Sequence, residues 1–157
     1  MPHDLHDHDH GTCVAQAIAQ AETVTRERGL RLTPVRRRTL EILLEEHRAM
    51  GAYEVLDRLA AEGFGRQPPV VYRALEFLVE NGMAHRVQRL NAFAACAHPG
   101  QDHHPVFLIC ERCNAISEAP ADKTLAALAQ VAKGQGFDLR AVSLEATGLC
   151  ATCGTRG

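Results

Sequence analysis

Pro68-Pro69-Val70-Val71-Tyr72-Arg73-Ala74-Leu75-Glu76-Phe77-Leu78-Val79-Glu80-Asn81-Gly82 carries the signals of a helix at both its ends and along its length. Proline is suited to a first helical position, where a missing N–H costs nothing, and Asn-Gly closes a helix. Between them Val71, Leu75, Leu78 and Val79 make one apolar face and leave Tyr72, Arg73 and Glu76 pointing elsewhere. Downstream, Met83 to Gln88 and Ala92 to Cys96 are strand-like and joined by Arg89-Leu90-Asn91. Upstream, Ala52, Val55, Leu56 and Leu59 follow the i, i+3, i+4, i+7 pattern between Gly51 and Gly63-Phe64-Gly65. Before them Thr33-Pro34 supplies an N-cap and first position for a helix with Leu40, Leu43 and Leu44 inside and Arg36, Arg37 and Arg38 outside. Val14, Ala17, Ile18, Ala21 and Val24 mark a leading helix, from near Cys13 to Gly29. Three helices and a hairpin in this order describe a winged helix.

In such a unit the helix opening at Pro68 is the one that meets base edges. Tyr72 and Arg73 lie one turn after its start, where a guanidinium can fork onto guanine and a tyrosine can stack on sugar or a thymine methyl. Arg31, Arg36, Arg37, Arg66, Arg86 and Arg89 are candidate phosphate contacts. Net charge gives no help: the 157-residue chain carries a formal −2, and residues 14 to 90 hold twelve Arg against ten Asp and Glu. A DNA-facing patch must come from how the charges are arranged in space.

The last third is dominated by Cys110-Glu111-Arg112-Cys113 and Cys150-Ala151-Thr152-Cys153. Two residues between cysteines let both sulfurs of one turn reach one ion, and two such pairs complete a tetrahedral, closed, structural zinc site. A thioredoxin-like dithiol needs only one pair, at a helix N-terminus. Val106 to Ile109 and Ala115 to Glu118 predict paired strands, Ala121 to Gln135 a helix, and Phe137 to Thr147 a final strand leading into the second pair, a small α+β unit. Residues 97 to 104, rich in turn formers, separate the units as a hinge. The predicted organisation is a His-rich tail at 1–12, disordered without metal, a winged helix at 13–96, the hinge, and a metal-binding unit at 105–157.

A second set of donors, His85, Cys96, His103, His104 and Glu118, is scattered around the thiols. Singly, each has a plain structural explanation: surface histidine, buried thiol, loop histidine, solvated carboxylate. Together His85, Cys96, His103 and Glu118 supply two nitrogens, one sulfur and one oxygen, a set compatible with tetrahedral zinc and softer than an iron site of histidine and carboxylate. Cys96 is the discriminating donor.

No apolar run approaches the roughly 18 to 20 residues that span a bilayer, and no secretory leader pattern is present. The expectation is a soluble, cytoplasmic protein with no membrane partner. In that compartment a set of six cysteines points to metal ligation rather than three disulfides, with lone Cys13 a small apolar residue.

Leu32-Thr33-Pro34, the run Pro69 to Leu75, the two Cys pairs and Glu145-Ala146-Thr147-Gly148-Leu149-Cys150 resemble the ferric uptake regulator superfamily, most closely its zinc uptake regulator branch. The resemblance implies a homodimeric transcriptional repressor of zinc uptake genes, not an enzyme, with zinc as corepressor and operator DNA as partner. It implies two zinc ions per subunit. Cys110, Cys113, Cys150 and Cys153 would hold the structural ion; His85, Cys96, His103 (or, one register away, His104) and Glu118 would hold the regulatory one. Where the family usually has Thr or Ser, this chain has Val70. The rival readings are a family member sensing iron, manganese, nickel or peroxide, a dithiol oxidoreductase, and a zinc-ribbon module for protein or RNA partners.

Overall fold

The computed structural model describes residues 10–46, 48–100 and 103–155. The chain divides into two compact units, Met1–Gln101 and Asp102–Gly157, so the boundary falls inside the run expected as the hinge. The expected His-rich tail lies, through residue 9, outside the described residues.

In the first unit helices α1 (His10–Glu27), α2 (Pro34–Glu45), α3 (Ala52–Ala61) and α4 (Pro68–Glu80) precede strands β1 (Ala84–Val87) and β2 (Ala92–Ala95). The first helix begins at His10, three residues earlier than Cys13, because apolar periodicity marks a buried face and not the frayed turn before it. Thr33 occupies the N-cap of α2 with extended backbone, although its hydroxyl makes no capping bond. The core is the meeting of helix faces: Ile18 and Ala21 from α1, Leu40, Ile42 and Leu43 from α2, Val55, Leu56 and Leu59 from α3, and Val71, Leu75 and Leu78 from α4. Beneath the last of these, Asn81 caps α4 and Gly82 turns the chain at φ 71°. Arg28 donates to both the Asn81 carbonyl and its side-chain oxygen at 3.3 Å, pinning the end of α1 to the end of α4.

The wing is an antiparallel hairpin in the register Ala84↔Ala95 to Val87↔Ala92, its turn closed by Asn91 at φ 46°. Both strands are shorter than the sequence implies, but Cys96 N–H still donates to Met83 O at 3.0 Å, so Cys96 continues the ladder by one rung. Met50, just before α3, exchanges two backbone hydrogen bonds of 2.8 Å with Phe93 and ties the hairpin to the helices.

The second unit is a three-stranded sheet of order β4-β3-β5, with β3 (Pro105–Cys110) central, β4 (Ile116–Pro120) antiparallel to it and β5 (Leu144–Gly148) parallel. Helix α5 (Asp122–Gly134) follows β4, and a short helical turn α6 (Ala151–Gly154) follows β5. The expected strand from Phe137 to Thr147 is thereby corrected: only Leu144–Gly148 pairs, because β3 offers partners from Val106 to Cys110 and no further. Residues 137 to 143 instead form the connection after Gly136, which takes φ 64° to end α5. Among the described residues no helix is long and apolar enough to cross a membrane.

Candidate metal centres and nucleic-acid interface

Cys110 ends β3, and the chain turns at once: Asn114, at φ 58°, donates to Cys110 O at 2.9 Å, and Cys110 N–H donates to Ala115 O at 2.9 Å. That tight turn brings Cys113 back beside Cys110. The second pair arrives because β5 runs parallel to β3, with Gly148 opposite Cys110 and accepting from Glu111 N–H at 2.9 Å. Cys150 is the N-cap of α6 and Cys153 lies three residues on, one helical turn away. Arg112 donates to Cys153 O at 2.9 Å and ties that turn to the strand end.

All four Sγ atoms lie within 4.8 Å of one another, and those of Cys113 and Cys150 are 3.9 Å apart. A tetrahedron of ~2.3 Å Zn–S bonds separates its sulfurs by about 3.8 Å, so the spacing suits zinc. The electrostatics point the same way. The Cys150 N–H donates to Cys110 Sγ at 3.4 Å, and with the Cys113 amide holds that thiol down to about 6. Hydrogen bonding to the Cys150 side chain, then burial and its other sulfur neighbours, push Cys153 up to about 12. Four thiols this close cannot ionise together without a cation to share, and a divalent, thiophilic one meets the need.

The mixed donors divide between the units. In the first, His85 on β1 and Cys96 just past β2 bring a ring nitrogen and a sulfur within 4.8 Å. Cys96 is buried, His85 half-buried, and the His98 backbone N–H donates to Cys96 Sγ at 3.4 Å. A donor aimed at sulfur complements the charge that a ligating thiolate carries. In the second unit His103 Nε2 and Glu118 Oε1 are 2.5 Å apart, the carboxylate on β4 and the imidazole just before β3. Two ligands on one tetrahedral zinc sit about 3.3 Å apart, so this pair must open by under an ångström to accept an ion. His104 is exposed.

On α4, Tyr72 is 41% exposed and Arg73 is exposed beside it, while Val71, Ala74 and Leu75 hold the helix to the core. Arg73 and Arg36 line one cleft of about 180 Å³, together with Thr33, Val35, Val70 and Ala74, where the first turns of α2 and α4 meet. Neither of those turns contains an acidic residue, so both positive helix ends stand unneutralised by their own first turns. Arg36 donates to Arg31 O at 2.8 Å, and its guanidinium lies over the Phe77 ring. Phe77 has no polar atom to attract notice in a sequence, and its role shows only once α2 and α4 are side by side. Arg86 donates to Asn91 Oδ1 at 3.0 Å across the wing, and Arg66 is exposed ahead of α4. Arg37 is a different case: it pairs with Glu22 on α1 and with Glu41 at 3.1 Å, so its charge is met within the protein. Arg38 likewise bonds Glu62, Glu45 and Glu41, and those carboxylates raise its pKa.

Residues 27–147 match the model of the ferric uptake regulator family. Over 143 residues the chain is 38% identical to the zinc uptake regulation protein of Escherichia coli (strain K12), covering 90% of this chain and 84% of that one. A solved structure of a zinc uptake regulator complexed with zinc and DNA superposes with a TM-score of 0.87 at 37% identity, covering 91% of this chain and 96% of the other. The holo form of XcZur, 40% identical, gives 0.81 over 89% of this chain and 98% of its own; the apo form, also 40% identical, gives 0.52 over 91% and 99%. A chain with this fold, these paired thiols and this degree of identity belongs to the ferric uptake regulator family.

Proposed function

We propose that this protein is a zinc-responsive transcriptional repressor that binds operator DNA as a homodimer and controls zinc uptake genes. The observation that carries the reading is the pairing of a thiol with an imidazole, Cys96 with His85, at the base of the wing in a chain akin to zinc uptake regulators. A sulfur in that position favours zinc over the harder ions that carboxylate and imidazole alone would select.

Two zinc ions serve each subunit in this reading, one held by Cys110, Cys113, Cys150 and Cys153, the other by His85, Cys96, His103 and Glu118. Zinc bound there would supply a fixed tie between these side chains and no redox chemistry. His103 is favoured over His104 because it is half-buried on Glu118. His85 and Cys96 belong to the DNA-reading unit, and His103 and Glu118 to the other, so joining them restricts how the two winged helices of a dimer face their half-sites. Moving a population from almost wholly incompetent to almost wholly competent takes ~5.5 kcal/mol of differential affinity, within what zinc coordination provides. The difference between the holo and apo matches of XcZur supports a metal-dependent change of conformation in that relative.

Tyr72 and Arg73 read bases, and Arg36, Arg66 and Arg86 hold phosphates. For dimerisation the second unit offers Leu108, Val131, Phe137 and Leu149, each at least 47% exposed, more large apolar surface than so small a unit leaves to water. The reading is one of regulation in the cytoplasm, not catalysis. Metal analysis tests it: wild-type protein should carry two zinc ions per chain and sediment as a dimer, and Cys96→Ala should carry one and remain a dimer. One zinc in both proteins would sink the second site.

A further inference from the structure

Helix α1 presents two distinct faces. Ile18, Ala21 and Thr25, spaced i, i+3, i+7, are buried in the first unit's core. Gln20 and Val24, spaced i, i+4, lie on another face and meet the chain segment that follows Cys96. Gln20 Nε2 donates to Pro99 O at 3.0 Å across 79 residues of sequence. Pro99 is buried. Gly100, at φ 81°, passes so close to α1 that a Cβ on it would stand 2.6 Å from Val24 Cγ2. Valine is branched at Cβ and cannot swing aside as a flexible chain would, so contact and backbone conformation both require glycine there. One step back along the chain, the His98 N–H is held on Cys96 Sγ.

We propose that Gln20 and Gly100 are positioning residues of the regulatory zinc site, docking the run from Cys96 to Gly100 onto α1 before metal arrives. The proposal rests on the reading that Cys96 and His103 are zinc ligands, and it adds a part of the chain that contributes no ligand. The docked run starts at Cys96 and ends three residues before His103. Backbone fixed in advance is backbone whose ordering the ion does not have to supply, so the latch sets how little free zinc fills the site. Because α1 is anchored in the same core as the DNA-reading helix, the latch also holds that run in the frame of α4.

Operator binding by the full-length dimer, its thiol site already filled, should be titrated against buffered free zinc. Gln20→Met keeps the length and helix preference of the side chain and removes the N–H; it should raise the half-maximal zinc concentration about threefold to tenfold. Gly100→Ala should raise it further, and adding Val24→Ala should recover part of that shift. Operator affinity at saturating zinc should stay within about twofold of wild type in all of them. A readout independent of DNA is hydrogen exchange at the His98 amide before the second site is filled, which should speed up at least about threefold in Gln20→Met. If half-maximal zinc is unchanged in both single variants, or moves only together with thermal stability and saturated DNA affinity, the latch has no positioning role. A Cys96→Ala protein that responds to zinc like wild type would instead overturn the ligand reading beneath the proposal.

Discussion

The guanidinium of Arg36 lies 3.7 Å from the centroid of the Phe77 ring, and the carbonyl of Arg31 receives one of its N–H groups. An arginine held by a ring on one helix and a carbonyl ahead of another has little rotamer freedom left to lose, so in the proposed role it would meet a phosphate already oriented. Arg36→Ala should weaken operator binding roughly tenfold and lower the salt slope of the affinity by about one. Phe77→Leu, which keeps the charge and releases its orientation, should cost about twofold to fivefold in affinity, the equivalent of ~0.5–1 kcal/mol. Binding measured across a salt series separates the two effects.

Arg73 and Arg37 should behave oppositely although both are arginines on the helices of the DNA-reading unit. Arg73→Ala should lose ~1–3 kcal/mol with cognate DNA and relax the base preference at one position per half-site, with little change on non-specific DNA. Arg37→Ala should leave both affinities within about twofold, because Glu22 and Glu41 already neutralise that side chain. Competition assays against a library of half-site variants read both outcomes.

The second unit should depend on its thiols for its fold. The largest fully buried side chains among the described residues, Ile42, Leu43, Met50, Leu59, Leu75, Leu78 and Met83 at their head, all lie between Thr39 and Val87 in the first unit. A sheet of three short strands with so little buried needs its staple. Stripping zinc with a strong chelator, or replacing Cys113 with Ser, should therefore unfold the second unit while the first keeps its helical signal. Far-ultraviolet circular dichroism with limited proteolysis distinguishes local from global loss.

Zinc capture by these thiols should be pH-dependent in a defined sense. Cys153, pushed up to about 12, carries a proton throughout the neutral range, and an arriving ion must displace it, so affinity should fall at least tenfold per unit as pH drops. Cys110, held down to about 6, is already ionised above that value and adds a second proton to displace only below it. The slope of log affinity against pH should steepen by about one as pH falls through about 6, which chelator competition between pH 5 and 8 measures.

Much of this molecule is legible in its sequence because local chemistry wrote it there. Thr33-Pro34 and Pro68-Pro69 set helix starts, the four-residue spacing of Val55 and Leu59 set a buried face, and the two Cys pairs declared a cluster that β3 and β5 then assembled. What stayed hidden is what two distant segments decide jointly. The final strand is shorter than its residues suggest because its length is set by the partners β3 can offer. No local pattern shows that Arg37, a candidate phosphate contact, pairs with Glu22 fifteen residues away. The Met50–Phe93 bridge and the Gln20–Pro99 bond leave no local periodicity to detect. His103 and His104 differ by one position in sequence, and only the contact with Glu118 separates them.

In the proposed mechanism, filling the site of His85, Cys96, His103 and Glu118 switches on DNA binding. Its most direct test is operator affinity measured against buffered free zinc, with the thiol site already loaded, for wild-type protein and for Cys96→Ala. Wild type should tighten on its operator by at least about a hundredfold as zinc rises, and Cys96→Ala should stay weak throughout. Tight binding by wild type with the second site empty, or an unaltered zinc response in Cys96→Ala, would show that this site is not the switch.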